Sequence, residues 1–119
     1  MAVNKCVNDK PNIEIIKESF NSPFNDILGI EIVKIEWGRV VLELKSRKEL
    51  ANAMGIIHGG ATATLCDVAM GMAVGSIGLY PMTVEMKINY LSPGPIDDIL
   101  RAEGKVLKAG KRLVITEGE

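Results

Sequence analysis

The spacing of apolar residues changes from helical to alternating near residue 30. Before that point, apolar side chains recur three and four positions apart, which predicts a short amphipathic helix over residues 12–20: Ile13, Ile16 and Phe20. Pro23 should end this helix, because proline disfavours helical backbone at the residue before it. Apolar and polar residues then alternate through residues 30–37 and 39–45. This alternation predicts a hairpin with one face on the core, the inward residues of its second strand being Val40, Leu42 and Leu44.

A second apolar segment, GGATATLCDVAMGMAVGSI at residues 59–77, is small or apolar on nearly all sides. Its length would suit one bilayer crossing. Asp67 argues against a membrane, because a charged group near the bilayer centre costs about 2.5–3.5 kcal/mol, and no basic residue directly flanks the segment. We therefore predict a loop over residues 46–58 and then a core helix covered by a sheet, with small residues where strands press close.

After this helix the alternating pattern returns. It predicts a third strand carrying Val84, Met86, Ile88 and Tyr90, a fourth from Ile99 to Lys108, and a fifth that starts at Arg112. A helix, a hairpin, a long buried helix and three more strands make an α+β fold, which we expect to be a single domain over residues 1–119. The chain ends almost where the fifth strand begins, so we expect either that the C-terminal strands are truncated or that the sheet edge is left open.

Composition limits which partners the protein is expected to bind and in which cellular compartment it is expected to occur. The formal net charge of −1 gives no overall attraction for nucleic acid. The two cysteines, Cys6 and Cys66, lie in unlike segments and are expected to be free thiols, which is typical of a reducing cytoplasm. The first 19 residues contain no apolar run of signal-peptide length. We therefore expect a cytoplasmic protein.

The candidate chemistry lies at the start of the core helix. The first turn of a helix presents unpaired N–H groups that carry positive partial charge. Gly59 and Gly60 lack side chains, so a ligand oxygen can approach these amides, as an oxyanion hole requires. His58 offers a further hydrogen bond, and Asn52 offers an amide for a water or for His58. Asp67 is the only acid in the segment. Taken singly, each residue also fits a structural role, as a cap, a loop residue or a hydrogen-bonded core acid.

The separation between Gly59 and Asp67 predicts more than one chain in the site. Eight helical residues span about 12 Å, whereas a catalytic base must come within about 3 Å of its proton, directly or through one water. Asp67 therefore cannot act on a carbonyl that Gly59 of the same chain holds. Two helices lying antiparallel across a two-fold axis would bring each helix start to the Asp67 of the other chain.

Two motifs resemble the hotdog-fold acyl-CoA thioesterases of the phenylacetate-degradation type. The first runs Asn52-x2-Gly55-x2-His58-Gly59-Gly60-x6-Asp67, and the second is the stretch TVEMKINYLSPG over residues 83–94. The likeness covers about residues 12–118. It implies a long helix wrapped by an antiparallel sheet, in a homodimer or homotetramer.

The resemblance also implies roles for these residues. The N–H of Gly59 would polarise a thioester carbonyl beside His58 and Asn52, while Asp67 of the partner subunit would be nucleophile or general base toward water. Thr83 would place that water or the carboxylate. The resemblance implies no metal and no redox cofactor, and coenzyme A would arrive as part of the acyl-CoA substrate.

The phosphates of coenzyme A require cations, and three surround the last predicted turn: Lys108, Lys111 and Arg112. A solvated hairpin tip explains these charges equally well. Two other functions stay open beside thioester hydrolysis. One is a domain that binds acyl-CoA without cleaving it, and the other is a hydratase of enoyl-CoA. The sequence does not select the acyl group.

Overall fold

The computed structural model describes residues 10–119, and the prediction for Cys6 lies outside them. The elements are α1 (Ile13–Phe20), α2 (Pro23–Leu28), β1 (Ile30–Glu36), β2 (Arg39–Lys45), a 3₁₀ turn (Lys48–Leu50), α3 (Gly59–Ser76), β3 (Ile99–Ala109) and β4 (Val114–Gly118). Within residues 10–119, four strands form one antiparallel sheet in the order β1-β2-β3-β4, and the longest helix, α3, is inserted between β2 and β3. This arrangement confirms the predicted α+β class.

The core forms where the sheet packs on α3. The predicted inward side chains of β2 are completely buried, as are several small residues of the helix. Gly104 of β3 lies so close to α3 that a Cβ at this position would be 2.4 Å from the carbonyl oxygen of Ala69. The prediction of a core helix with small residues under the strands is therefore confirmed. Among residues 10–119, no helix combines the length and the apolar character needed to cross a membrane.

The first helix is confirmed, but the chain continues differently after it. The Asn12 side chain accepts a hydrogen bond from the N–H of Ile15 and caps α1. Pro23 follows the end of α1 as predicted, yet it also opens α2, where its fixed φ suits the first helical position. The sequence prediction missed α2 because six residues are too short to show a period. The Arg47 guanidinium holds the end of α2 by donating to the carbonyl oxygens of Leu28, at 2.8 Å, and Ile27.

The predicted third strand, Val84 to Tyr90, is wrong for the described chain. Residues 79–95 contain neither helix nor strand, and within residues 10–119 no backbone hydrogen bond pairs residues 82–91 with another segment. An alternating pattern becomes a strand only when another strand supplies hydrogen-bond partners. Here residues 81–90 instead follow α3 in the opposite direction. Pro81 lies next to Gly71, Thr83 contacts Asp67, and Tyr90 contacts Gly59.

Candidate active site

His58 is the N-cap of α3, and its ring orientation is fixed by the helix itself. The Nδ1 atom accepts a hydrogen bond of 2.8 Å from the N–H of Gly60. An imidazole that accepts at one nitrogen can donate only from the other, so Nε2–H is the donor that this contact leaves available. The imidazole is exposed. His58 thus presents one N–H to any group that binds at the start of α3.

Gly59 supplies a second donor at the same place. Its N–H has no acceptor among residues 10–119, although the N–H groups of Gly60, Ala61 and Thr62 all reach acceptors on His58. It lies at the positive end of an 18-residue helix. An unpaired N–H at a helix start, on the residue next to His58, is a donor of the kind that a developing oxyanion needs.

The structure shows why glycine occupies positions 59 and 60, for a reason that the sequence did not predict. A Cβ on Gly59 would lie 3.3 Å from Cε1 of Tyr90, and a Cβ on Gly60 would lie 3.0 Å from Nδ1 of His58. A side chain at either glycine would therefore meet a neighbouring ring, which is a packing reason for glycine at both positions. Tyr90 also donates its hydroxyl to the carbonyl oxygen of Gly59, at 3.0 Å. Sequence reasoning missed Tyr90 because the alternating pattern assigned it to the apolar face of a strand.

Asp67 and Thr83 form the second cluster. The Thr83 hydroxyl donates to Oδ1 of Asp67 over 2.7 Å, across 16 residues of sequence. Asp67 is half-buried on α3 and Thr83 is exposed. Within the described residues, this is the one hydrogen bond to the Asp67 carboxylate, so Oδ2 is open to a water or a substrate.

The two clusters border different pockets of the same chain. His58 and Gly60 line one of about 210 Å³, whose other walls include Phe24, Leu28 and Leu50. Asp67 and Thr83 line another of about 220 Å³, next to the end of α1 and the start of α2. The structure therefore brings Asp67 to Thr83 and His58 to Gly59, but it does not bring the two pairs together within one chain.

Asn52 has its side-chain oxygen engaged in its own loop. Oδ1 accepts from the N–H of Met54 at 2.8 Å and from the N–H of Ile56 at 3.3 Å. These bonds close the turn that leads to His58, whose own backbone N–H donates to the carbonyl of Leu50 at 2.8 Å. Asn52 makes no hydrogen bond to His58 among the described residues, and its oxygen stabilises the loop that presents His58.

The three predicted cations are exposed at the turn between β3 and β4: Lys108, Lys111 and Arg112. None of them forms an ion pair within residues 10–119. Near the beginning of β3, Leu100 lies close to Gly94, which also contacts Ile57 just before α3. Farther along the strand, Gly104 packs on Ala69 in the middle of α3. The strand thus carries the cations toward the C-terminal half of α3, away from His58 of the same chain.

Comparison with protein families and with curated proteins places this chain among thioesterases. Residues 54–119 match the family model described as the thioesterase superfamily. Human acyl-coenzyme A thioesterase 13 is 38% identical over 96 residues, which are 78% of this chain and 69% of that protein.

Solved structures agree with the sequence comparison. The PaaI protein of the phenylacetic acid degradation operon of Escherichia coli superposes with a TM-score of 0.76 at 30% identity, over 84% of this chain and 71% of that one. A hypothetical thioesterase protein from Streptococcus pneumoniae, solved with coenzyme A, gives 0.72 at 36% identity over 75% and 72%.

The chain belongs to the thioesterase superfamily. Its sheet and long helix are those of the hotdog thioesterases, so the predicted fold and family are both confirmed.

Proposed function

We propose that this protein hydrolyses an acyl-CoA thioester, so that RCO–S–CoA and water give a free acid and coenzyme A. The observation that carries the proposal is the donor pair at the start of α3, the unpaired N–H of Gly59 and the Nε2–H of His58. The carbonyl oxygen gains negative charge when a nucleophile attacks, and two fixed donors stabilise that charge. The thioesterase relatives and the neighbour solved with coenzyme A support the same chemistry.

Asp67 of the partner subunit supplies the carboxylate in this mechanism. As a general base it takes a proton from water while the oxygen attacks the carbonyl carbon. As a nucleophile it forms an acyl anhydride that water then opens. In either route the C–S bond breaks and the sulfur leaves with a proton as the thiol. Thr83 holds Oδ1 and leaves Oδ2 free to act.

Binding of coenzyme A is assigned to the turn between β3 and β4. In an antiparallel pair of α3 helices, the C-terminal half of one helix lies beside the start of the other. The cations that one chain keeps away from its own His58 would then be near the His58 of the partner subunit. Their placement supports a role as ligands of the diphosphate and 3′-phosphate: Lys108, Lys111 and Arg112. Gly60 is assigned to substrate binding at the helix start. Asn52 is assigned to the catalytic group, through the loop that presents His58. The proposed reaction needs no metal and no redox cofactor.

The proposed assembly is a homodimer, or a homotetramer built from two such dimers. Residues 82–91 expose several apolar side chains and leave their backbone groups without pairing in the described chain. Met82 is 88% exposed and Leu91 is 93% exposed. Exposed apolar patches and unpaired extended backbone are typical of surfaces that another chain covers. We assign the protein to the cytoplasm, which suits a free thiol such as Cys66.

The experiment that tests this function measures the release of free coenzyme A from a panel of aryl and alkyl acyl-CoAs. We expect turnover by the wild-type protein and at least a hundredfold loss of kcat in Asp67→Asn. Folding of the variant is checked by circular dichroism. Turnover within twofold of wild type would remove Asp67 from the mechanism. A folded wild-type protein that binds acyl-CoA without releasing product would instead be a binding module.

A further inference from the structure

Two hydrogen bonds meet on the single peptide group that joins Gly59 to Gly60. The Tyr90 hydroxyl donates to the carbonyl oxygen of this peptide over 3.0 Å, and the peptide N–H donates to Nδ1 of His58 over 2.8 Å. Tyr90 approaches from the segment that follows α3 and does not line the pocket beside His58. One peptide thus connects a phenol to the imidazole of the donor pair.

We propose that Tyr90 is a positioning residue for His58, acting through the Gly59–Gly60 peptide to keep the imidazole proton on Nε2. The proposal rests on the function proposed above, in which that Nε2–H donates to the thioester carbonyl oxygen. Tyr90 itself does not touch the substrate in this account. It sets the direction and tautomer of a group that does.

The physical reason is the polarisation of hydrogen bonds in series. A donor on the carbonyl oxygen draws electron density from the peptide nitrogen, so the N–H becomes a better donor; such cooperativity strengthens a bond by roughly 10–30%. A stronger bond to Nδ1 of His58 favours the tautomer whose proton is on Nε2. The same logic applies where a hydrogen bond at one ring nitrogen fixes what the other can do.

Steric contact reinforces this connection. The ring of Tyr90 lies so close to Gly59 that an added Cβ would sit 3.3 Å from Cε1 and 3.4 Å from Cζ. The first turn of α3 is therefore held between the phenol ring on one side and the His58 ring on the other. A purely steric role would need only the ring of Tyr90. A positioning role through the peptide needs the hydroxyl as well.

The test is Tyr90→Phe, which keeps the ring and removes the hydroxyl. His58 is the sole histidine, so its ¹⁵N resonances in a labelled protein report the tautomer without assignment. We expect the wild-type ring to be protonated on Nε2. In the variant, the Gly60 amide proton should move upfield and the Nδ1–H tautomer should gain population. In turnover, kcat should fall about twofold while KM is unchanged, because the hydrogen bond to Nδ1 is weakened rather than lost.

Tyr80→Phe is the matched control, because Tyr80 is the other tyrosine and its pKa is raised by the Glu18 carboxylate of α1, not by a group at the start of α3. It should leave the tautomer, the Gly60 amide and kcat unchanged. A Tyr90→Phe protein with a wild-type Gly60 amide and tautomer would overturn the proposal, as would a raised KM with unchanged kcat. The spectra of the resting protein need no turnover. A shifted tautomer in a protein whose wild type releases no coenzyme A would therefore support the positioning role and refute the proposed function alone.

Discussion

The hydroxyl of Thr83 lies 2.7 Å from Oδ1 of Asp67 and donates to it, although the two residues come from different segments. Asp67 is on α3, and Thr83 is on the extended stretch that runs back along that helix. This contact fixes one carboxylate oxygen and leaves the other open. The hydrogen bond therefore orients the carboxylate of the one acid in this apolar helix.

Removing this hydroxyl should reduce turnover without unfolding the protein. Thr83→Val keeps the shape of the side chain but cannot donate, so we expect kcat for acyl-CoA hydrolysis to fall about tenfold. Thr83→Ser keeps the hydroxyl and should stay within threefold of wild type. Steady-state release of coenzyme A measures both variants. Equal rates for Val and Ser at this position would show that the hydrogen bond to Asp67 does not serve the reaction.

Because β3 packs closely on α3, alanine at Gly104 of β3 and alanine at Gly71 of α3 should change the free energy of unfolding differently. Gly104→Ala would place a methyl group 2.4 Å from the backbone of Ala69, so strand and helix must separate. Overpacking of this kind costs about 1–3 kcal/mol of unfolding free energy. Gly71→Ala is the matched substitution on α3, where the nearest atom is Cβ of Pro81 at 3.6 Å.

Because this second methyl group fits and alanine favours helix, we expect Gly71→Ala to leave the free energy of unfolding unchanged or raised by up to about 1 kcal/mol. Urea denaturation compares the two variants. If Gly104→Ala were as stable as Gly71→Ala, the close approach of β3 to α3 would be incorrect.

Glu103 makes the stability depend on acid pH. Arg39 donates two hydrogen bonds of 2.8 Å to its carboxylate and Lys105 lies 3.1 Å away, so the pKa of Glu103 falls to about 2 in the folded protein. The unfolded chain binds the proton near pH 4.5. Between these values the unfolded state holds more protons, so this contribution to stability is present above pH 4.5 and is lost as the pH falls toward 2.

We therefore expect Glu103→Gln to reduce the difference in Tm between pH 6 and pH 3. Glu85→Gln is the control, since Glu85 is exposed and makes no ion pair within the described residues. Thermal unfolding across this pH range measures the effect. An identical pH dependence in wild type and Glu103→Gln would mean that the ion pair with Arg39 does not form in solution.

Strong local patterns made much of the fold predictable. The alternation of β2 fixed which side chains face inward, and the small, apolar run of residues 59–77 marked α3 with an error of one residue at its end. The failed prediction concerned residues 84–90, where the same alternation was present. Periodicity states that a segment can be a strand, but it does not supply the neighbouring strand that would pair with it.

The sequence indicated the individual residues of the candidate site but not all of the contacts between them. His58 and Asp67 stand out because the chain has one histidine and the segment 59–77 has one acid, and Gly59 stands out by its place at the helix start. The family resemblance added Thr83. The contact between Tyr90 and Gly59 could not be predicted, since it joins one hydroxyl to a single carbonyl oxygen across 31 residues of sequence. The need for glycine at positions 59 and 60 could not be predicted either, because it depends on the rings of Tyr90 and His58 that pack against them.

In the proposed mechanism, each site takes His58 from one subunit and Asp67 from the other. Co-expression of Asp67→Asn and His58→Ser chains with two different tags allows mixed dimers to be purified. Serine is chosen because it still caps the helix. Each variant alone should be inactive, for both of its sites lack one group.

Each mixed dimer would contain one site with both groups intact and one with neither. We therefore predict that the mixed dimer releases coenzyme A at about half the wild-type rate. If each chain used its own His58 and Asp67, no intact site would exist in the mixture. A mixed dimer as inactive as either parent would contradict the shared site.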